Sequence, residues 1–215
     1  MLQLLNLELL ISSQTLIQPF SLDIAEGEIV TLMGPSGCGK TSLLSGISGT
    51  LEMPLQTKGA VLLKGKNLRP LKPHLRRVGR MFQDDVLFPH LTIGENLLFG
   101  LLKGNRAERL KQIRQGLHEI ELDSFENRAP HTLSGGQRQR VSLMRSLLAK
   151  PDCMLLDEPF SKLDQSLRGS IAQKTFEILK QHKIPTLLVT HHLDDAPMNG
   201  RILQITPQGK VVDVR

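Results

Sequence analysis

Residues 31–41 contain Gly34-Pro35-Ser36-Gly37-Cys38-Gly39-Lys40-Thr41, a G-x-x-x-x-G-K-[ST] run. An apolar segment (29–33) precedes it and a segment with helical spacing (41–47) follows. That strand–loop–helix context is what the motif needs to act as a phosphate cradle, and a glycine-rich turn matching by chance would lack it. The glycines let the backbone curl until several N–H groups face one point at a helix N-terminus, an anion nest. Lys40 adds a positive charge able to reach β- and γ-phosphates, and Thr41 offers a hydroxyl to Mg²⁺. The chain is therefore expected to bind a nucleoside triphosphate, on an α/β fold in which this loop joins a strand to a helix.

With 215 residues, the chain suffices for one generous domain, or a core with an inserted subdomain. The formal charge is +6, and much of the excess lies between Lys58 and Arg80. Lys58, Lys64, Lys66, Arg69, Lys72, Arg76, Arg77 and Arg80 occur there without an acid. No aromatic residue interleaves to stack bases, so the run reads as a solvated basic face rather than a nucleic-acid surface. Cys38 and Cys153 form neither a disulfide framework nor a metal pattern, which fits a reduced, cytosolic setting.

The leucine-rich start, 1–11, lacks a basic n-region and a cleavage site, and Glu8 interrupts it, so it reads better as a strand than as a signal peptide. Leu5, Leu7, Leu9 and Ile11 alternate with Asn6, Glu8 and Leu10, which predicts an edge strand. No run approaches the length of a membrane span, so any spans would come from another chain.

Further strands are expected over 20–24, 29–33, 60–63 and 78–83, with 46–58 as a turn-rich connection and a hairpin turn over 64–67. Helical spacing then covers 93–102 and 107–120, where Leu110, Ile113, Leu117 and Ile120 form one stripe. A third helix is expected to start after Gly136 and run to Ala149, with Val141, Met144 and Leu148 inward. The βα rhythm resumes with a strand over 153–156, a helix over 165–181, a strand over 186–190, and closing strands over 202–205 and 211–214.

The apolar strand ending in Asp157-Glu158 delivers two carboxylates to the sheet edge where α/β proteins bind ligands. Asp157 is placed to hold Mg²⁺ through its water shell. Glu158, one residue on, points elsewhere and can polarise an attacking water.

Leu133-Ser134-Gly135-Gly136-Gln137 opens a predicted helix, and with the preceding motifs the chain resembles the ATP-binding cassette (ABC) ATPases. The resemblance covers essentially the whole chain. It implies a RecA-like phosphate-loop NTPase core with an N-terminal antiparallel β subdomain and an inserted α-helical subdomain. Residues 1–83 and 151–215 would form the core with its β subdomain, and 84–150 the helical part. By the same resemblance the ATP site comprises Gly34 to Thr41, Gln83, Asp157, His191 and Ile11. Ser134, Gly135, Gly136, Gln137 and Asp164 would act in trans on the γ-phosphate held by a second subunit. Glu158, His191 and Gln83 are the implied catalytic residues, and Thr41, Gln83 and Asp157 the implied Mg²⁺ ligands. Gln83 matches the Q-loop glutamine, Ser161-Lys162-Leu163-Asp164 the D-loop, and His191 the switch histidine. The family usually stacks adenine on an aromatic ring, and the equivalent position here is near Ile11. Looser nucleotide binding is expected, since base–aromatic stacking is worth roughly 1–3 kcal/mol.

Residues 82–97 look like the importer branch, in the segment that receives a permease helix. Among importers the similarity is to compact ATPases of thiamine-, iron-, molybdate- or polyamine-type systems, and the regulatory domain many carry after the last strand is not expected here. The implied partners are a second copy of the chain when ATP is bound, integral-membrane permease subunits, and an extracytoplasmic substrate-binding protein. The implied location is the cytoplasmic face of the cell membrane. A chromosome-maintenance type of cassette protein would account for the basic balance, but it needs a long coiled coil between phosphate loop and signature, and no sustained heptads occur there. A phosphate-loop kinase would not need Leu133 to Gln137. No nucleic-acid partner is expected.

Overall fold

The computed structural model describes residues 1–215 except 102, 103, 162 and 164, and the side chain of residue 167. In chain order the elements begin with β1 (Leu2–Ile11), β2 (Gln14–Ile24), β3 (Ile29–Met33) and α1 (Lys40–Ser48), then β4 (Leu55–Leu63), β5 (Lys66–Asn67) and β6 (Val78–Met81). Three helices follow, α2 (Ile93–Leu98), α3 (Arg106–Glu119) and α4 (Gly135–Leu148). The chain then runs through β7 (Cys153–Asp157), α5 (Gln165–Gln181), β8 (Thr186–Thr190), β9 (Arg201–Ile205) and β10 (Val211–Asp213).

Among the described residues the strands form two sheets, an antiparallel one ordered β2-β1-β4-β5 and another ordered β10-β9-β3-β8-β7-β6. In the second, β9, β3, β8, β7 and β6 are parallel and β10 is antiparallel to β9. Both faces of β3, β7 and β8 are covered, as their largely apolar sequences require. Along β7, Cys153 and Leu155 join a core with α1 and the antiparallel sheet, through Leu4, Leu9, Leu43 and Ile47. Met154 and Leu156 face a second core with Ile113, Leu117, Val141, Phe160 and Leu179.

β1 is not an edge strand: it lies between β2 and β4 and pairs with both along its length. Its simple alternation also breaks. Leu2, Leu4, Leu7 and Leu9 are buried, whereas Leu5 is exposed. A bulge at Asn6, whose φ is 47°, shifts the phase by one residue. Opposite it Gly59 has φ 92°, and a Cβ there would collide with the carbonyls of Leu5 and Asn6. The stretch read as a turn-rich connection already contains the start of β4 at Leu55. The hairpin at Lys64-Gly65 is present, with Leu63 paired to Lys66 and both turn residues at positive φ (50° and 76°).

In the helical block α2 ends at Leu98, earlier than the periodicity predicts. Leu110 departs from its stripe, being 41% exposed while Ile113, Leu117 and Ile120 are buried. Val141 and Met144 are buried as expected, and Leu148 packs against the same core while only partly buried.

The basic run is not one solvated face. Arg76 is buried: its Nη1 donates to the carbonyls of Gly46 (3.1 Å) and Ile47 (2.8 Å), and its Nε to that of Leu71 (3.0 Å). Burial pushes its pKa down. Arg80 also turns inward, whereas Lys58, Lys64, Lys66, Arg69, Lys72 and Arg77 are exposed.

Candidate nucleotide-binding site

β3 leads through residues 34–39 directly into α1, whose first residues are Lys40 and Thr41. The entry depends on Gly39, which caps the helix at φ 96°. A Cβ there would also lie 2.8 Å from Leu9 Cδ2, because β1 closes over the loop. The Lys40 side chain is drawn under the loop, where its ammonium donates to the carbonyls of Gly34 (2.8 Å) and Pro35 (2.9 Å). Ile11 ends β1, partly buried and paired with Leu55 of β4.

β7 and β8 neighbour each other in the parallel sheet, and both point their carboxyl ends at this loop. Asp157 ends β7, buried, and its Oδ1 accepts from the Thr41 hydroxyl at 2.9 Å. The next residue, Glu158, has a left-handed φ of 43°, unusual for a glutamate. Backbone strain of this kind clusters at functional sites. Its N–H donates to the Val189 carbonyl (2.9 Å), and its Oε1 lies 2.9 Å from His191 Nδ1. Thr41, Gln83, Asp157 and Glu158 share one cleft of about 650 Å³. Thr41 and Asp157 are hard oxygen donors beside a phosphate cradle, so the residues present suit Mg²⁺.

Two supporting groups escaped sequence reading. Arg80 Nη2 donates to Asp157 Oδ2 at 2.9 Å. Behind the turn that carries His191, the fully buried Asp195 accepts from the Thr190 hydroxyl (2.5 Å) and from Arg168 Nη2 (3.1 Å). Thr190 Oγ1 in turn accepts from His192 N–H (3.1 Å), so the turn is pinned to α5. A run of basic residues and a pair of adjacent aspartates carry no local signal of either arrangement.

Ser134 caps α4 in a capping box: its Oγ accepts from Gln137 N–H (3.3 Å), and its own N–H donates to Gln137 Oε1 (3.0 Å). Gly136 is buried, and a Cβ there would collide with the Ile171 side chain of α5. Ser134, Gly136 and Gln137 line a second cleft of about 300 Å³ that shares no residue with the first. Asp164 and Lys162 lie outside the described residues.

α4 is tied to the segment after Gln83. Arg138 donates to Asp85 Oδ2 and to the Leu133 carbonyl, both at 2.7 Å, and Arg145 to the Val86 carbonyl at 3.0 Å. The buried Asn96 folds the rest of that segment, donating to the carbonyls of Phe88, Leu91 and Thr92. The result leaves Phe82, Val86, Phe88 and Phe99 exposed, with the Phe88 and Phe99 rings 4.5 Å apart. Among the described residues no helix is long and apolar enough to cross a membrane.

A phosphate loop whose Thr41 meets the acid at the end of β7, beside a glutamate–histidine pair, defines a phosphate-loop NTPase. More specifically, the chain belongs to the ABC transporter family, whose profile matches residues 17–161. The Fe(3+) ions import ATP-binding protein FbpC 1 of Pectobacterium atrosepticum is 38% identical over 204 residues, or 94% of this chain and 57% of that protein. The chain therefore spans little more than half the length of that relative. The ABC transporter ATP-binding protein YnjD of Escherichia coli is 39% identical over 203 residues, 93% of each chain. Among solved structures, the dimeric post-hydrolysis state of the ATP-binding cassette MJ0796 bound to ADP and Pi has a TM-score of 0.79 at 29% identity, covering 100% of this chain and 99% of that one.

Proposed function

We propose that this chain is the ATP-binding and ATP-hydrolysing subunit of an ABC importer. The observation that carries the reading is the pairing of Glu158 with His191 at 2.9 Å next to the Thr41–Asp157 contact. In this reading the loop N–H groups and Lys40 hold the phosphates, and Ile11 gives the base an apolar seat. Glu158 takes a proton from the attacking water, whose oxygen bonds to the γ-phosphorus as the bond to the β–γ bridging oxygen breaks. His191 steadies Glu158 and contacts the γ-phosphate, while Gln83 orients the water. Thr41, Asp157 and Gln83 would hold Mg²⁺ on the protein side, and the ion would supply neutralisation of phosphate charge.

Ser134, Gly135, Gly136 and Gln137, with Asp164, act on the nucleotide of a second copy. Two features support this: the signature cleft is separate from the phosphate-loop cleft, and the MJ0796 cassette was captured as a dimer. Permease subunits dock at the exposed apolar surface around Phe88 and Phe99, which places the chain peripherally at the cytoplasmic face of the membrane. Import follows the named role of FbpC 1, and an extracytoplasmic substrate-binding protein would complete such a system.

Glu158→Gln keeps the shape and removes the base. ATP binding should survive while hydrolysis falls roughly 10²–10⁴-fold, and light scattering should show a dimer with MgATP but not with MgADP. A variant that hydrolyses near the wild-type rate removes Glu158 from the mechanism. Should the variant stay monomeric with MgATP, and wild-type hydrolysis be indifferent to Gly135→Asp, the trans role of residues 133–137 is wrong.

A further inference from the structure

Asp157 is engaged on both oxygens: Oδ1 by the Thr41 hydroxyl and Oδ2 by the Arg80 guanidinium, each at 2.9 Å. The ion pair is interior, with side chains 9% and 7% exposed. Arg80 is anchored on its other side as well, since Nη1 donates to Ser45 Oγ of α1 at 2.8 Å. Its guanidinium also sits 4.6 Å from the centroid of the Phe82 ring, one residue before Gln83. Arg80, Asp157, Thr41 and Glu158 line the same cleft. A full positive charge is thus built onto the carboxylate that faces the phosphate loop.

We propose that Arg80 is the resident counter-cation of Asp157, and that it sets how strongly nucleotide binding depends on Mg²⁺. This rests on Asp157 being the acid on the metal's side of the site. Without metal, a bare carboxylate beside the phosphates repels them, and Arg80 cancels that repulsion. With metal, the same carboxylate is shared between guanidinium and hydrated cation, so each weakens the other's hold. The two effects act in one direction. Metal-free ATP binds better than it would beside an unpaired aspartate, and the gain in affinity on adding Mg²⁺ is reduced.

The test is the affinity of N-methylanthraniloyl-ATP, titrated by fluorescence in EDTA and in saturating Mg²⁺, for wild type, Arg80→Met, Arg80→Lys and Asp157→Asn. Arg80→Met should lower the metal-free affinity about tenfold, about 1.4 kcal/mol, and change the Mg²⁺-bound affinity far less. The gain from Mg²⁺ then rises about tenfold, a ratio that a general loss of structure would not move. Arg80→Lys keeps the charge and should keep the wild-type ratio. Arg80→Gln retains a donor for Asp157 and gives the same comparison where Arg80→Met lowers the folded fraction. An unchanged ratio in the neutral variants, with a diminished one in Asp157→Asn, overturns the role of Arg80 while leaving Asp157 as assigned. A wild-type ratio in Asp157→Asn overturns the assignment of Asp157 and the proposal with it.

Discussion

Arg76→Met separates an interior basic residue from a solvated one. The guanidinium donates to the carbonyls of Gly46 and Ile47 in the last turn of α1, and to those of Leu71 and Arg69. It lies against Gly49, the C-cap of the same helix. Two contributions are lost in the variant. A partly buried cation at a helix C-terminus is worth up to about 2 kcal/mol, and each buried carbonyl left without a donor costs about 1–3 kcal/mol. Relief of the arginine's own burial, which pushes its pKa down, offsets part of this. A net loss of about 3 kcal/mol corresponds to about 6–12 °C in Tm for a chain of this size. The assay is a circular-dichroism melt without nucleotide, repeated with saturating MgATP. Arg76 holds the far end of α1 and touches neither Lys40 nor Thr41, so the stabilisation on adding nucleotide should be the same in both proteins, about 2.7 kcal/mol at one hundred times Kd. A drop in Tm below about 2 °C would refute the argument, as would a loss of salt-dependent DNA binding with Tm unchanged.

Cys38 lies in the phosphate loop and is partly exposed, while Cys153 is buried with its pKa pushed up to about 12. N-ethylmaleimide should therefore inactivate through Cys38 alone, with MgATP protecting; inactivation that persists in Cys38→Ser would contradict this. Ile11→Tyr supplies a ring where the strand meets the loop, and calorimetry should show ATP binding tightened by about 1 kcal/mol, roughly fivefold. Equal affinity would mean that the base does not rest at Ile11. Asp195→Ala leaves Arg168 unpaired, which should destabilise the protein by about 3–5 kcal/mol. In the fraction that stays folded, hydrolysis should fall more than nucleotide affinity, because the turn bearing His191 loses its anchor. Equal losses in both would remove that positioning role.

The features legible in the sequence are those whose cause is local. The helix over 165–181 and the strand over 186–190 appear with the predicted bounds, since period and flanking turns sit within a few residues of each other. The placement of the phosphate loop, Asp157, Glu158 and His191 was legible because each ends or directly follows a strand, and the parallel sheet then brings those ends together. What escaped depends on partners distant in sequence. The phase shift in β1 requires Gly59, more than fifty residues on, to open room for the bulge at Asn6. Arg76 and Arg80 look alike in a basic run, yet one caps α1 and the other pairs with Asp157, 77 positions away. Charge pattern alone cannot distinguish either from Lys58.

The signature residues divide their work in a way that only the packed structure exposes. The missing side chain of Gly136 also serves its own chain, as the place where α4 closes on Ile171 of α5. Gln137 is likewise committed, closing the capping box with Ser134. Gly135 differs: a Cβ there would approach nothing nearer than 4.0 Å, and the residue is exposed beside an exposed Ser134. Packing and capping thus account for Ser134, Gly136 and Gln137 and give no reason for glycine at 135. An exposed glycine at the first turn of a helix leaves the N–H groups open to an anion. The cleft lined by its neighbours Ser134, Gly136 and Gln137 shares no residue with the cleft containing Thr41 and Asp157. Under the proposed function, an exposed helix start separate from the chain's own phosphate loop is what a second chain's γ-phosphate requires. Gly135→Asp should accordingly leave the fold and the chain's own nucleotide affinity intact while abolishing ATP-dependent dimerisation in the Glu158→Gln background.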